Sequence, residues 1–184
     1  VQLLAEGGWL RWCVPREYGG KHESLDVRSL CLIRETLARY DALADFSFAM
    51  QGLGSGAISL YGNSEQKQNI LEEVSAGRMI AGFALSEPDA GSDVAAMNSK
   101  AFSTTEGWKV NGEKSWISNG GIADYYTLFA KTSDQPGSGG FSAFLLKADN
   151  PGLSIVERQE VMAPHPLARL QLKDAELSRE ALLG

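Results

Sequence analysis

The stretch Phe83-Ala84-Leu85-Ser86-Glu87-Pro88-Asp89-Ala90-Gly91-Ser92-Asp93 holds the residue types best suited to chemistry in this chain. Its first four residues are apolar or small and extended in character. The remainder favour turns and local hydrogen bonds, so a strand running into an ordered loop is expected. Such a loop offers backbone N–H groups, the hydroxyls of Ser86 and Ser92, and a glycine, Gly91, that lets a ligand approach the main chain. Those are parts for holding a polar, anionic ligand, although a surface turn that caps a strand has the same composition. Glu87 and Asp93 are turn carboxylates, a type that usually caps backbone N–H groups, and acid–base work is not assigned to them.

A second stretch, Asn111-Gly112-Glu113-Lys114-Ser115-Trp116-Ile117-Ser118-Asn119-Gly120-Gly121, follows downstream. As a pair in this order, the two closely resemble the flavin-binding middle domain of the acyl-CoA dehydrogenase family. The usual forms there are a strand ending in Thr-Glu-Pro-x-Ala-Gly-Ser-Asp and a segment Asn-Gly-x-Lys-x-(Trp/Phe)-Ile-(Thr/Ser)-Asn-Gly. Val14-Pro15-Arg16-Glu17-Tyr18-Gly19-Gly20 resembles the family's Val-Pro-x-x-Tyr-Gly-Gly segment ahead of a long helix, and Leu182-Leu183-Gly184 resembles the close of the middle domain. The resemblance runs from Val14 to Gly184.

The resemblance implies FAD as cofactor, its ring lying against Phe83, Ala84, Leu85 and Ser86 and against Trp116, Ile117 and Ser118. A flavin needs an aromatic or apolar wall and donors at its polar edge, where negative charge gathers on reduction. By resemblance, Ser118 reaches the region of flavin N5 and Ser86 the pyrimidine end. Gly91 and Ser92 meet the phosphates, and Ser92 also borders the acyl-CoA substrate. The implied reaction is α,β-dehydrogenation of an acyl-CoA thioester, with electrons passed to an electron-transfer flavoprotein. The family's base is commonly a glutamate of a C-terminal helical domain, which is expected to be absent here, so no catalytic residue is named. That domain also contributes to the acyl pocket and to the contacts of a homotetramer or dimer, and FAD retention by this chain alone is expected to be weak. An acyl-CoA oxidase or flavin monooxygenase of the same fold, or a non-catalytic binding module, are the rival readings.

The elements expected to position these residues divide the chain into an α+β arrangement. Residues 1–78 form part of an N-terminal helical domain, and 79–184 a middle domain built as a small antiparallel β-barrel or sandwich. From Ser24 to about Ala44, Leu25, Leu32, Ile33, Leu37 and Tyr40 recur at helical intervals as one apolar face. Phe46 to Leu60 is apolar all round, which suits a helix buried in a bundle. Its Gly52-x-Gly54-x-x-Ala57 formally matches a dinucleotide fingerprint and is rejected, because no strand precedes it. Asn63 or Ser64 caps a third helix that ends near Gly77. Strands are expected over about 79–86, 99–104, 108–110, 114–117, 125–131, 142–147 and 170–173, with hairpin signals at Glu106-Gly107 and Asn111-Gly112. Residues 134–140 read as a mobile surface loop.

A formal charge of −6 and a pI near 5.0, without any Lys/Arg cluster, speak against a nucleic-acid partner. Hydrophobic content of 43% with 22% charged residues fits a globular protein. No apolar run is long enough for a membrane span. Cys13 and Cys31 form no metal or redox motif and read as reduced, mostly packed residues of a cytoplasm-like compartment, or the mitochondrial matrix in a eukaryote. Val1 in place of Met hints at a cut N-terminus. His22 and His165 lack further ligands at metal-binding spacing, so no metal is expected. Met162-Ala163-Pro164-His165-Pro166-Leu167-Ala168-Arg169 departs from the family's Gly-x-Arg-x-Ser type of sequence and leaves the substrate class open.

Overall fold

The computed structural model describes residues 1–135, 137–163 and 165–184, and of Ser138 the backbone alone. Pro136, in the loop expected over 134–140, and Pro164, in the segment over 162–169, lie outside the described residues. The helices are α1 (Gln2–Glu6), α2 (Val27–Tyr40), α3 (Ala42–Tyr61) and α4 (Ser64–Ser75). The strands are β1 (Ala81–Ala84), β2 (Lys100–Ser103), β3 (Gly107–Ser118), β4 (Tyr125–Lys131), β5 (Phe141–Lys147), β6 (Leu153–Gln159), β7 (Leu167–Ser178) and β8 (Leu182–Leu183).

Asp41 ends the helix expected to run on to Ala44. Its backbone is extended (φ −154°), and its carboxylate accepts from the N–H groups of Leu43 at 2.8 Å and Ala44 at 3.0 Å, which caps α3 instead. The inward face of α2 also differs from expectation. Leu30, Ile33 and Leu37 pack on the helical core, whereas Leu32 and Tyr40 are exposed. A capping box opens α4, with Asn63 Oδ1 accepting from Gln66 N and Gln66 Oε1 accepting from Asn63 N, both at 2.8 Å. The Gln66 amide also donates to the carbonyls of Glu180 (2.6 Å) and Leu182 (3.1 Å), tying α4 to the strand end of the chain.

Helices and sheet meet along α3. Buried Gln51 donates to Met79 O at 2.8 Å and accepts from Ala81 N at 2.9 Å, and Thr127 on β4 donates to Gly54 O at 2.7 Å. Each such bond contributes about 1 kcal/mol and leaves costly orphans if broken. Gly54 is small because Ala81 sits against it: a Cβ there would lie 2.6 Å from the Ala81 Cβ. Close helix–strand packing thus accounts for one glycine of the rejected fingerprint. α3 is not buried all round. Phe48, Gln51, Gly54, Ser55 and Ile58 are buried, while Leu53, Leu60 and Tyr61 are exposed beside an apolar groove.

All eight strands join one sheet in the order β6-β7-β3-β2-β4-β5-β8, with β1 beside β4. It is mixed rather than antiparallel, because β1 runs parallel to β4 over Ala81–Ala84 and β2 bridges β4 in parallel at Lys100. Neither pair is joined by a tight turn, so neither is forced antiparallel. The Glu106-Gly107 turn does join β2 to β3. Asn111-Gly112 does not turn the chain; it lies inside β3, where the register with β7 shifts. Gly112 is required by the approach of Ser99, whose side chain a Cβ would overlap. The Asn111 side chain instead pairs with Asp174 on β7, accepting from its N–H at 2.8 Å and donating to its carboxylate at 3.1 Å. Val110, Ile117, Tyr126, Leu128, Phe144, Leu146, Leu170 and Leu172 fill the core of the sheet. Cys13 is buried in the helical core, which pushes its thiol up to about 12, but Cys31 is exposed, contrary to the expectation that it is packed.

Candidate functional site

The two motif stretches meet side by side. Ser115 N–H donates to Ser86 O at 2.9 Å. One residue earlier, the Lys114 ammonium donates to Leu85 O at 3.1 Å and to Glu87 Oε1 at 2.8 Å. At the other end, Asn119 Nδ2 donates to Ala81 O at 2.8 Å. β1 and the loop after it are therefore held along β3 by side-chain and single backbone bonds rather than by a ladder.

Glu87 does the capping expected of it. Its carboxylate accepts from the N–H groups of Asn98 (2.6 Å) and Ser99 (3.0 Å) as well as from Lys114, and its backbone closes a tight turn with Ala90. Burial works against its charge, but the bonds from Lys114, Ser99 and Asn98 outweigh burial and hold the carboxyl below the usual range. Desolvation pulls the buried Lys114 ammonium below the usual lysine range despite the partner. Asp93 is exposed and its side chain caps nothing.

Trp116 has left-handed backbone (φ +60°) at a break in the register of β3 against β7, between Lys114 and Ile117. A non-glycine residue there is strained and is held by its surroundings. Its side chain is 56% exposed, so the largest apolar surface of the motif is turned to solvent while Ile117 beside it is buried. Gln159 accepts from Trp116 N at 2.8 Å and donates to Ser115 Oγ at 3.2 Å.

The structure brings Ser86 to Ser115, next to Trp116 on β3, while Ser118 lies two residues further along the strand; Ser86 and Ser118 are half-buried. Among the described residues no hydrogen bond occupies the hydroxyls of Ser86, Ser92 or Ser118. Ala84 and Ile117 are buried in the sheet core and offer backbone alone. Phe83 and Leu85 line the groove beside α3, with the Phe83 ring 5.1 Å from that of Phe129. That groove, about 780 Å³, is also lined by Leu53, Leu60, Val94 and Phe141. Gly91 and Ser92 lie past the turn, exposed, and a Cβ on Gly91 would meet nothing within 4 Å, so there is room for a ligand at the main chain. His165 stacks on Phe46 of α3 with ring centroids 4.2 Å apart, while Pro166 O accepts from Asn119 N at 3.0 Å.

Lys114 stands at the fixed lysine of the second motif, where the sequence reading gives it no role, and Gln159 belongs to neither motif. Lys114 could have been suspected from parity, since Val110 sets the inward face of β3 and a lysine two pairs on requires a buried counter-charge. For Gln159 no such signal exists, because its role depends on where β6 ends.

No helix among the described residues is long and apolar enough to cross a membrane. The family models for the N-terminal and middle domains of acyl-CoA dehydrogenases match residues 1–78 and 82–175. Cyclohexane-1-carbonyl-CoA dehydrogenase of Syntrophus aciditrophicus is 34% identical over 99% of this chain and 48% of its own. The crystal structure of an acyl-CoA dehydrogenase complexed with FAD from Bacillus anthracis superposes with a TM-score of 0.86 at 34% identity, covering all of this chain and 31% of that one. A chain from a structural study of the electron transferring flavoprotein of Acidaminococcus fermentans superposes with a TM-score of 0.92 at 34% identity, covering all of this chain and 48% of that one. The chain spans about half the length of the curated relatives it matches. With both domain models matched in sequence order and the two motifs meeting in space, the chain belongs to the acyl-CoA dehydrogenase family.

Proposed function

We propose that these residues form the FAD-binding and substrate-facing part of an acyl-CoA dehydrogenase, with 1–78 and 79–184 as its first two domains. The observation that carries the reading is the 2.9 Å bond from Ser115 N to Ser86 O, which joins the two motif stretches one residue from the exposed Trp116. That neighbourhood suits a flavin: area from Trp116, hydroxyls from Ser86 and Ser118, and open main chain at Gly91 and Ser92 for the phosphates. The FAD named for the Bacillus anthracis relative supports the same cofactor. FAD supplies a two-electron acceptor for the hydride leaving Cβ of the thioester.

The chain's own residues position and exclude. Phe83 and Leu85 line the apolar groove beside α3, which suits an acyl chain, and Leu85 adjoins Ser86 in the chain. Ser92, exposed past the turn, would border the CoA moiety. Glu87 is not the base that removes the α proton. It is buried and already accepts from three donors, which leaves it neither reachable nor basic. Electrons leave to an electron-transfer flavoprotein, in keeping with the flavoprotein named for the Acidaminococcus relative.

The test is anaerobic addition of straight-chain, branched and cyclic acyl-CoA thioesters to the full-length, FAD-loaded protein. Bleaching of the flavin absorbance by at least one of them, with a 2-enoyl-CoA product, is expected. An FAD-loaded protein bleached by dithionite but by no thioester contradicts the reading.

A further inference from the structure

Two N–H groups leave the β3–β7 ladder at the strained turn of β3. The register passes from Lys114 opposite Leu170 to Ile117 opposite Ala168, so Ser115 and Trp116 have no partner on β7. Ser115 N–H is taken by Ser86 O and Trp116 N–H by Gln159 Oε1. Because a backbone N–H only donates, the Gln159 amide must present oxygen to Trp116, which aims its NH2 at Ser115 Oγ, 3.2 Å away. One side chain at the end of an otherwise exposed strand therefore grips both residues of the bulge. A backbone at φ +60° on a tryptophan persists only where its surroundings fix it.

We infer that Gln159 is a positioning residue for the cofactor ring, acting through the backbone of Trp116. This rests on the FAD reading above. Gln159 does not touch the ring in this account; it keeps the indole turned outward, and without it Trp116 relaxes toward extended backbone and the wall is lost.

The test compares Gln159→Met, which removes acceptor and donor, with Gln159→Glu, which keeps the acceptor, in the full-length protein. Amide hydrogen exchange is read without FAD, and affinity by FAD titration. In Gln159→Met the loss of the acceptor at Trp116 N should speed exchange there and raise the Kd for FAD by about tenfold each. Exchange at Ser115 should hold, since Ser86 still takes its N–H. Gln159→Glu should stay within about threefold of wild type on both readouts. Unchanged exchange or affinity in Gln159→Met, or equal losses in both variants, overturns the inference. If Gln159→Met does not fold, Trp116→Gly is added, because glycine accepts φ +60° without help. Recovery of the fold supports the inference and continued failure overturns it. A wild-type protein that takes up no FAD fails the cofactor reading and this inference with it, whereas normal wild-type uptake with an indifferent Gln159→Met fails the inference alone.

Discussion

The ammonium of Lys114 on β3 lies 2.8 Å from the carboxylate of Glu87 in the loop after β1, and both side chains are shielded from water. The pair joins the two motif stretches, and each partner is also anchored to backbone: Lys114 to Leu85 O, Glu87 to the N–H groups of Asn98 and Ser99. Burying two charges is expensive, so the arrangement is better understood as fixing the loop against β3 than as a source of net stability. Removing one partner leaves the other uncompensated. Lys114→Met should lose about 3 kcal/mol of unfolding free energy. Glu87→Gln combined with Lys114→Met should be less destabilised than Lys114→Met alone, since the stranded charge is then gone. Urea unfolding of wild type and the two variants measures both.

The same carboxylate gives an acid limit. Glu87 in the folded protein sits below its unfolded value, so the unfolded chain takes up its proton first as pH falls. Its contribution is complete above an ordinary carboxylate value near 4.5 and is lost as pH drops through the lower folded value. The urea midpoint of wild type should fall in acid, and that of Glu87→Gln should fall less steeply over the same range. Parallel curves would mean that other carboxylates set the acid limit.

Gly54 controls the spacing between α3 and β1. Gly54→Ala places a methyl 2.6 Å from the Ala81 Cβ, and such overpacking costs about 1–3 kcal/mol. Ala81→Gly in the same chain should return much of the loss. Thermal unfolding of the single and double variants checks the compensation.

The left-handed backbone of Trp116 makes a substitution at that position depend on shape rather than polarity. Trp116→Val should lose about 1–3 kcal/mol because a β-branched residue resists φ +60°, while Trp116→Gly should keep or raise stability. Calorimetric unfolding of the two in the same buffer distinguishes this from a simple loss of aromatic surface.

What the sequence made legible was local chemistry. Asn63 or Ser64 announces a helix start, Glu106-Gly107 a hairpin, and residues 125–131 a strand, because each is decided by neighbours in the chain. The failures come where a distant partner decides. Asn111-Gly112 has hairpin composition, yet Ser99 just before β2 and Asp174 on β7 keep it inside a strand. β1 pairs in parallel with β4 because of the path between them, which no window of residues contains. β6 was not expected: Ser154, Glu157 and Arg158 dilute its alternation, as suits an edge strand with most side chains in water. Leu32 and Tyr40 keep helical spacing but stand outside the face that α3 and its neighbours cover. At the candidate site, the residue types of both motifs were legible, whereas the bond between Ser115 and Ser86 and the grip of Gln159 needed coordinates.

The most direct measurement is an FAD titration of the full-length protein, wild type beside Trp116→Gly, followed by flavin absorbance. The account predicts stoichiometric, yellow wild-type protein and a glycine variant that stays folded but binds FAD about fivefold or more weakly, since a stacked aromatic face contributes about 1 kcal/mol. Colourless wild-type protein that takes up no FAD, or a glycine variant that binds FAD as tightly as wild type, would contradict it.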